Sequence, residues 1–160
     1  MAMKLIPLIL LLTLNAVAQE DKKVMEPIRL LFEGMKKSDS AMVHRAFHAQ
    51  INFFTVLTDP KTNLPLLRRD EFKGFLVSIG TPHKEAYIEM IWSPKIEIDD
   101  NLAQVWGSYA FYLGKTFHHC GVDAFQLFKD ATGQWKIFQL ADTRQTVGCV
   151  IPAEISEQMK

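Results

Sequence analysis

Residues Lys115–Phe128 read KTFHHCGVDAFQLF, and this stretch decides the fold. It alternates as a strand, so Phe117, His119, Gly121, Asp123, Phe125 and Leu127 share one face. Thr116, His118, Cys120, Val122, Ala124, Gln126 and Phe128 share the other. His119 and Asp123 thus stand four residues apart on a face that is otherwise apolar. A buried acid or base is costly unless it is paired or used, so the face around this strand is the first place to look for a site.

Outward from it, strand signals continue. Leu102 to Leu113 is a long strand, Gly114-Lys115 a tight turn, and Thr116 to Lys129 the return. Asp130 to Gly133 turns into a strand from Gln134 to Val147. Upstream, Tyr87 to Ile98 is strand-like but interrupted by Ser93-Pro94, which predicts a bulge or an edge. Asp99-Asp100-Asn101 links it to Leu102. Earlier still, Ile51 to Leu57 and Leu64 to Leu67 read as a hairpin around a loop of turn formers from Thr58 to Asn63.

Three helices precede or interrupt this strand series. Val24, Met25, Ile28, Leu31, Phe32 and Met35 recur at helical spacing, predicting an amphipathic helix over 21–37 with Pro27 in its first turn. Ser38 is placed to cap a second helix reaching about Phe47, burying Met42, Val43, Ala46 and Phe47. Phe72, Phe75, Leu76 and Ile79 define a third over 70–79, with Gly80 as its cap. Helices gathered on one side of a strand meander make an α+β domain. The expected shape is a conical barrel of curved mixed or antiparallel sheet, with the three helices over its concave face and a cavity inside.

The chain has 160 residues, 48% of them hydrophobic, which suits one domain with a substantial core. Eighteen basic residues balance eighteen acidic ones, so nothing points to nucleic acid. The N-terminus is distinct. Met1 to Lys4 carries a positive charge, Leu5 to Leu14 is an apolar run, and Ala16-Val17-Ala18 has the small-residue pattern of a cleavage site. Residues 1–18 therefore read as a secretory signal peptide, and 19–160 as one periplasmic or secreted domain with no membrane attachment after cleavage. No stretch of the interior is long enough to span a bilayer.

The turns set the register. A two-residue loop at Gly114-Lys115 sets Leu113 opposite Thr116, and Trp106 then faces Asp123. Setting Lys129 opposite Gln134 places Leu140 opposite Asp123 and Arg144 opposite His119. One face would then gather Trp106, Tyr112, His119, Asp123, Phe138, Asp142 and Arg144, the candidate ligand-binding set. The same count sets Cys120 opposite Thr143, away from Cys149. It favours two free thiols over a disulfide, which would require the chain to double back after Gly148.

The order helix, helix, hairpin, helix, meander resembles the nuclear transport factor 2-like superfamily, which includes ketosteroid isomerase, scytalone dehydratase and SnoaL cyclases. Phe47-His48 before Ile51-Asn52-Phe53-Phe54, then Trp92 to Ile96, His119 to Phe125 and Gly133 to Ile137 resemble its SnoaL-like, or lumazine-binding, branch of small bacterial secreted proteins. Gln50 stands where that branch tends to carry a carboxylate. The resemblance implies a pocket inside a cone and a homodimer packed through the sheet. It does not imply one reaction.

Candidate chemistry narrows to His119 and Asp123. Four strand residues span about 13 Å, so they would flank a ligand rather than bond each other. Tyr112 or Trp106 would be the donor if proton transfer occurs. Trp106 is the expected partner of Asp123, making Asp123 structural and leaving His119 to face the cavity. Asp142 with Arg144 reads as a salt bridge or a ligand clamp. His118 is expected at an interface or on the surface. Alternation keeps His118, His119 and Cys120 from converging on a metal, and no cofactor fingerprint is present. Two functions fit: binding of a small, partly aromatic ligand, or an isomerase, dehydratase or cyclase reaction by proton transfer.

Overall fold

The computed structural model describes residues 7–159, with side chains from residue 18 onward. The leader read at residues 1–18 lies outside the described residues, apart from helical backbone and Ala18. Helix α1 runs Pro7–Lys37 and buries Val24, Ile28, Leu31 and Met35 along one stripe. Pro27 is inside α1 rather than in a first turn. Ser38, with φ of 56°, ends the helix. It does not cap the next one: Asp39 does, its Oδ1 accepting from the Met42 amide at 2.8 Å, and α2 spans Ser40–Ala46. Among the described residues no helix is long and apolar enough to cross a membrane.

Six strands follow in one sheet: β1 (Phe47–Thr58), β2 (Pro65–Arg69), then after α3 (Phe72–Gly80) β3 (Tyr87–Asp99), β4 (Leu102–Leu113), β5 (Thr116–Lys129) and β6 (Trp135–Thr143). Their order is β2-β1-β6-β5-β4-β3, with β1 parallel to β6 and every other pair antiparallel. The sheet is mixed and curved but does not close, since β2 and β3 are edges. Strand β3 continues through Ser93-Pro94 by a bulge between Trp92 and Lys95, with Ser93 at φ of 49°. Strand β6 ends at Thr143 rather than Val147, and a short helix α4 (Ala153–Ser156) lies in the tail.

The register explains where the core ends and the site begins. Across β4, β5, β6 and β1, Val105, Phe125, Leu140 and Phe53 form one buried rung. The next inward-facing rung is Gly107, Asp123, Asp142 and Thr55, and the one after holds Tyr109 and Gly121. The apolar rungs pack against α1 and α3, and the polar ones follow toward the open end of the cone.

Two bulges separate this register from a count made without them. The first turn is as counted, with Leu113 opposite Thr116 and Tyr112 opposite Phe117. His118 is then an extra residue, so Phe111 faces His119 and Gly107, not Trp106, faces Asp123. At the last turn Lys129 faces Trp135 instead of Gln134, and Phe138 is a second extra residue. Together these set Asp142, not Leu140, opposite Asp123.

Free thiols are likewise corrected. Cys120 and Cys149 form a disulfide, with Cα atoms 6.0 Å apart. Cys120 bridges Gln145 rather than Thr143, through two backbone hydrogen bonds of 2.9 Å. The chain then returns through Gly148 at φ of 75°, the left-handed conformation glycine adopts without strain.

Candidate functional site

An inner cavity of about 320 Å³ opens between α1, α3 and the concave face of the sheet. Phe53, Phe75, Tyr87, Phe111 and Ile79 give it mostly apolar walls. Its polar groups are Glu89, Asp123, Asp142, His118, His119 and Arg144, with Ser78 from α3. A larger outer cavity of about 610 Å³ shares His118, His119 and Arg144 with it, and is walled by Gln145, Thr146 and Val147 of the disulfide-tied segment.

Of the seven candidates from sequence, His119, Asp123, Asp142 and Arg144 line the inner cavity. Trp106, Tyr112 and Phe138 do not. Trp106 is 55% exposed and sits opposite Ala124, so it gives Asp123 no hydrogen bond. Tyr112 is buried against Phe117, with ring centres 5.7 Å apart. Phe138 is the bulged residue of β6. The physical reason is the His118 bulge, which brings the odd-numbered residues of β4 onto the face shared by His119 and Asp123.

The same bulge puts consecutive histidines side by side, against the expectation from alternation. Nδ1 of His118 and Nδ1 of His119 are 2.8 Å apart, so one ring donates to the other. His119 is buried against Phe111 at 4.9 Å between ring centres. Burial, then the charges of Arg144 and His118, lower its pKa to about 4 against the opposing pull of Asp142. His119 is therefore neutral near pH 7. Cys120 is committed to the disulfide. Among the described residues no three metal-ligating side chains are grouped to hold an ion.

Asp142 is fully engaged. Its Oδ1 accepts from Thr55 Oγ1 at 2.6 Å, and its Oδ2 from Arg144 Nε at 2.6 Å and Tyr109 Oη at 3.2 Å. Burial, the largest single influence, opposes the charge of Arg144, but the bond and charge of Asp142 with the charges of Tyr109 and Glu89 together raise the guanidinium pKa. Burial, and then the nearby carboxyls led by Asp142, push the Tyr109 phenol up. Tyr109 also donates to the Thr143 carbonyl at 2.9 Å, where β6 crosses close over Gly121. A Cβ at position 121 would overlap that carbonyl, which is why the motif holds glycine there.

Asp123 is different. It is 2% exposed, and its buried Oδ2 has no hydrogen-bond partner that donates to it as a carboxylate. Its neighbour is Glu89 of β3, another carboxyl, and the two can bond only by sharing a proton. Burial first, then the charges of Glu89 and Asp142, raise Asp123 well above the carboxylate range. Burial and Asp142 raise Glu89 to about 8. At neutral pH the pair therefore holds a proton. Glu89, Thr55 and the acid pairing were missed from sequence. The signal for Glu89 was the inward alternation Tyr87, Glu89, Ile91 on β3.

Solved structures share this architecture. An NTF2-like protein of unknown function from Shewanella baltica aligns with a TM-score of 0.59 at 22% identity, over 80% of this chain and 95% of its own. This is the nuclear transport factor 2-like fold. An NTF2-like protein with a cystatin-like fold from Novosphingobium aromaticivorans aligns with a TM-score of 0.63 at 8% identity, over 97% of each chain. A protein from Shewanella frigidimarina, provisionally named a ketosteroid isomerase, aligns with a TM-score of 0.56 at 13% identity, over 75% of this chain and 94% of its own. No protein-family model and no curated protein matches the sequence. At these identities the shared feature is the NTF2-like fold itself, and function rests on the site.

Proposed function

We propose that this is a secreted protein that binds a small, partly aromatic molecule inside the NTF2-like cone and works as a homodimer. The observation that carries the binding role is the aromatic-walled cavity of about 320 Å³ with the unpartnered Asp123 Oδ2 in its wall. A buried polar atom is ordinarily satisfied, and a cavity of this size and lining is the common form of a ligand site. Secretion is supported by the leader pattern at residues 1–18 and by the Cys120–Cys149 disulfide, which persists in oxidising compartments. Native mass spectrometry of protein purified from the producing cell is expected to find a bound species that is lost on filling the cavity with Ile79→Trp. Protein that is always empty, with no small molecule raising its melting temperature, refutes this role.

A second reading has its own support. The Glu89–Asp123 pair offers both a proton and a base beside neutral His119, as an isomerase, dehydratase or cyclase requires. Solvent deuterium exchange into cyclic ketones tests it. Exchange abolished by both Glu89→Gln and Asp123→Asn favours chemistry; the absence of exchange in a ligand that demonstrably binds removes it.

A further inference from the structure

We infer that the inner cavity takes an organic cation, with an ammonium group seated on Asp123 and Glu89 and an apolar body between the rings of Phe53, Phe75 and Phe111. This rests on the binding role proposed above and names the chemistry of the ligand. The reasoning is one of charge and partners. The cavity presents three carboxyls, and only one has a counter-ion, since Arg144 is committed to Asp142 at 2.6 Å. The hydroxyls of Thr55 and Tyr109 are also engaged elsewhere, Thr55 with Asp142 and Asp70, and Tyr109 with the Thr143 carbonyl and Asp142. Asp123 is almost completely buried, and no donor of the protein reaches its Oδ2. What remains is an acid pair with no cation, in a cavity lined by aromatic rings, a residue type whose faces attract cations.

Other ligand charges fit less well. A carboxylate would enter beside Glu89, Asp123 and Asp142 and meet like charge. A neutral molecule would leave the shared proton in place and bring the pair no compensating charge. An ammonium supplies the donors both carboxyls lack. On binding, the pair releases its proton to solvent, and N–H bonds from the ligand replace it; no covalent bond to carbon changes.

The exchange fixes the pH dependence. The groups facing the pair are Tyr109 from β4, His119 and His118 from β5, Asp142 and Arg144 at the end of β6, and Tyr87 beside Glu89 on β3. His119 titrates near 4 and the Tyr109 phenol is raised, so both keep one state across the neutral range. The acid pair, with Glu89 at about 8, changes state within it.

The test compares phenethylamine, phenethyl alcohol and hydrocinnamate by titration calorimetry on the full mature protein. The amine is expected to bind about tenfold or more tightly than the other two at about pH 8.5, its affinity rising by up to about tenfold per pH unit from about pH 6.5. Parallel titrations in phosphate and Tris buffers should read about one proton released per amine near neutral pH. Asp123→Asn and Glu89→Gln should each remove the preference for the amine, bringing the ratio of amine to alcohol affinity to about one. Equal or tighter binding of the alcohol or the carboxylate overturns the cation inference but keeps the pocket. An amine affinity that ignores pH and both substitutions also overturns it. If none of the three probes binds, the inference fails; the binding role itself then fails only if protein from the producing cell is also empty.

Discussion

At the scale of single residues, Asp123 and Asp142 face each other across β5 and β6 yet have opposite stability roles. Asp142 joins Thr55, Tyr109 and Arg144, so Asp142→Asn takes a buried carboxylate away from two hydroxyls and from the partly exposed guanidinium of Arg144. The expected loss is about 1–3 kcal/mol, seen as a fall in melting temperature of roughly 3–10 °C. Asp123→Asn replaces a carboxyl whose neighbour is another acid with an amide that can donate to Glu89, so melting should hold or rise. A large drop for Asp123→Asn would show that the proton shared with Glu89 stabilises the fold. Linkage adds a second check. Glu89 ionises near 4.5 when unfolded and at about 8 when folded, so the folded state holds the extra proton between those values. Stability then falls as pH rises toward 8 and levels off above it. His119, lowered to about 4, acts in the opposite direction between about 4 and 6.5, where stability rises with pH. The window from about 6.5 to 8 therefore belongs to the acid pair, with a decline of up to about 2 kcal/mol. Denaturant melts across that window should show the decline in the wild type and a flatter profile in Glu89→Gln; identical slopes would mean the pair holds no proton.

At the scale of elements, the disulfide closes a sequence separation of 29 residues and pins the segment after β6 beside the histidines of β5. A loop of that length contributes about 3–4 kcal/mol by chain entropy. Cys120→Ser with Cys149→Ser should therefore melt well below the oxidised wild type, by roughly 10 °C. It should also speed hydrogen exchange of the Gln145 amide, which bonds to Cys120. Unchanged exchange there would show that backbone pairing alone holds the segment. Much of the element layout was legible beforehand. Leu102–Leu113 and Thr116–Lys129 have the expected bounds, because strict alternation and a two-residue Gly114-Lys115 turn leave little freedom. The site was legible only in part, because bulges leave no mark in a period-two pattern. His118 and Phe138 each add one residue, and each changes which neighbour a strand presents. That is why His119, Asp123, Asp142 and Arg144 belong to the cavity while Trp106 turns outward. Glu89 went unread because a lone acid within IEMIW on an edge strand resembles a solvated position. The disulfide was hidden by the same register shift, which moved Cys120 to the point where the chain turns back.

At the scale of the whole molecule, the two faces of the sheet have separate work to do. The concave face holds the cavity. The outer face exposes Leu102, Trp106 and Phe128 at 52%, 55% and 42%, large apolar side chains on the paired strands β4 and β5. A two-fold contact through this face would bury each ring twice, once in each copy. Burying a side chain of this size stabilises by about 2–3 kcal/mol, so one charge at its centre should break the contact. Size-exclusion chromatography with light scattering at about ten micromolar is expected to give a dimer for the wild type and a monomer for Trp106→Glu. Because Trp106 faces Ala124 on the side away from Asp123, the monomeric variant should keep the affinity for phenethylamine and the pH profile of stability. A wild-type monomer would remove the dimer while leaving the cavity untouched. A Trp106→Glu monomer that also loses ligand would show that the cone needs its partner to hold its shape, and that the two faces are coupled through the curvature of the sheet.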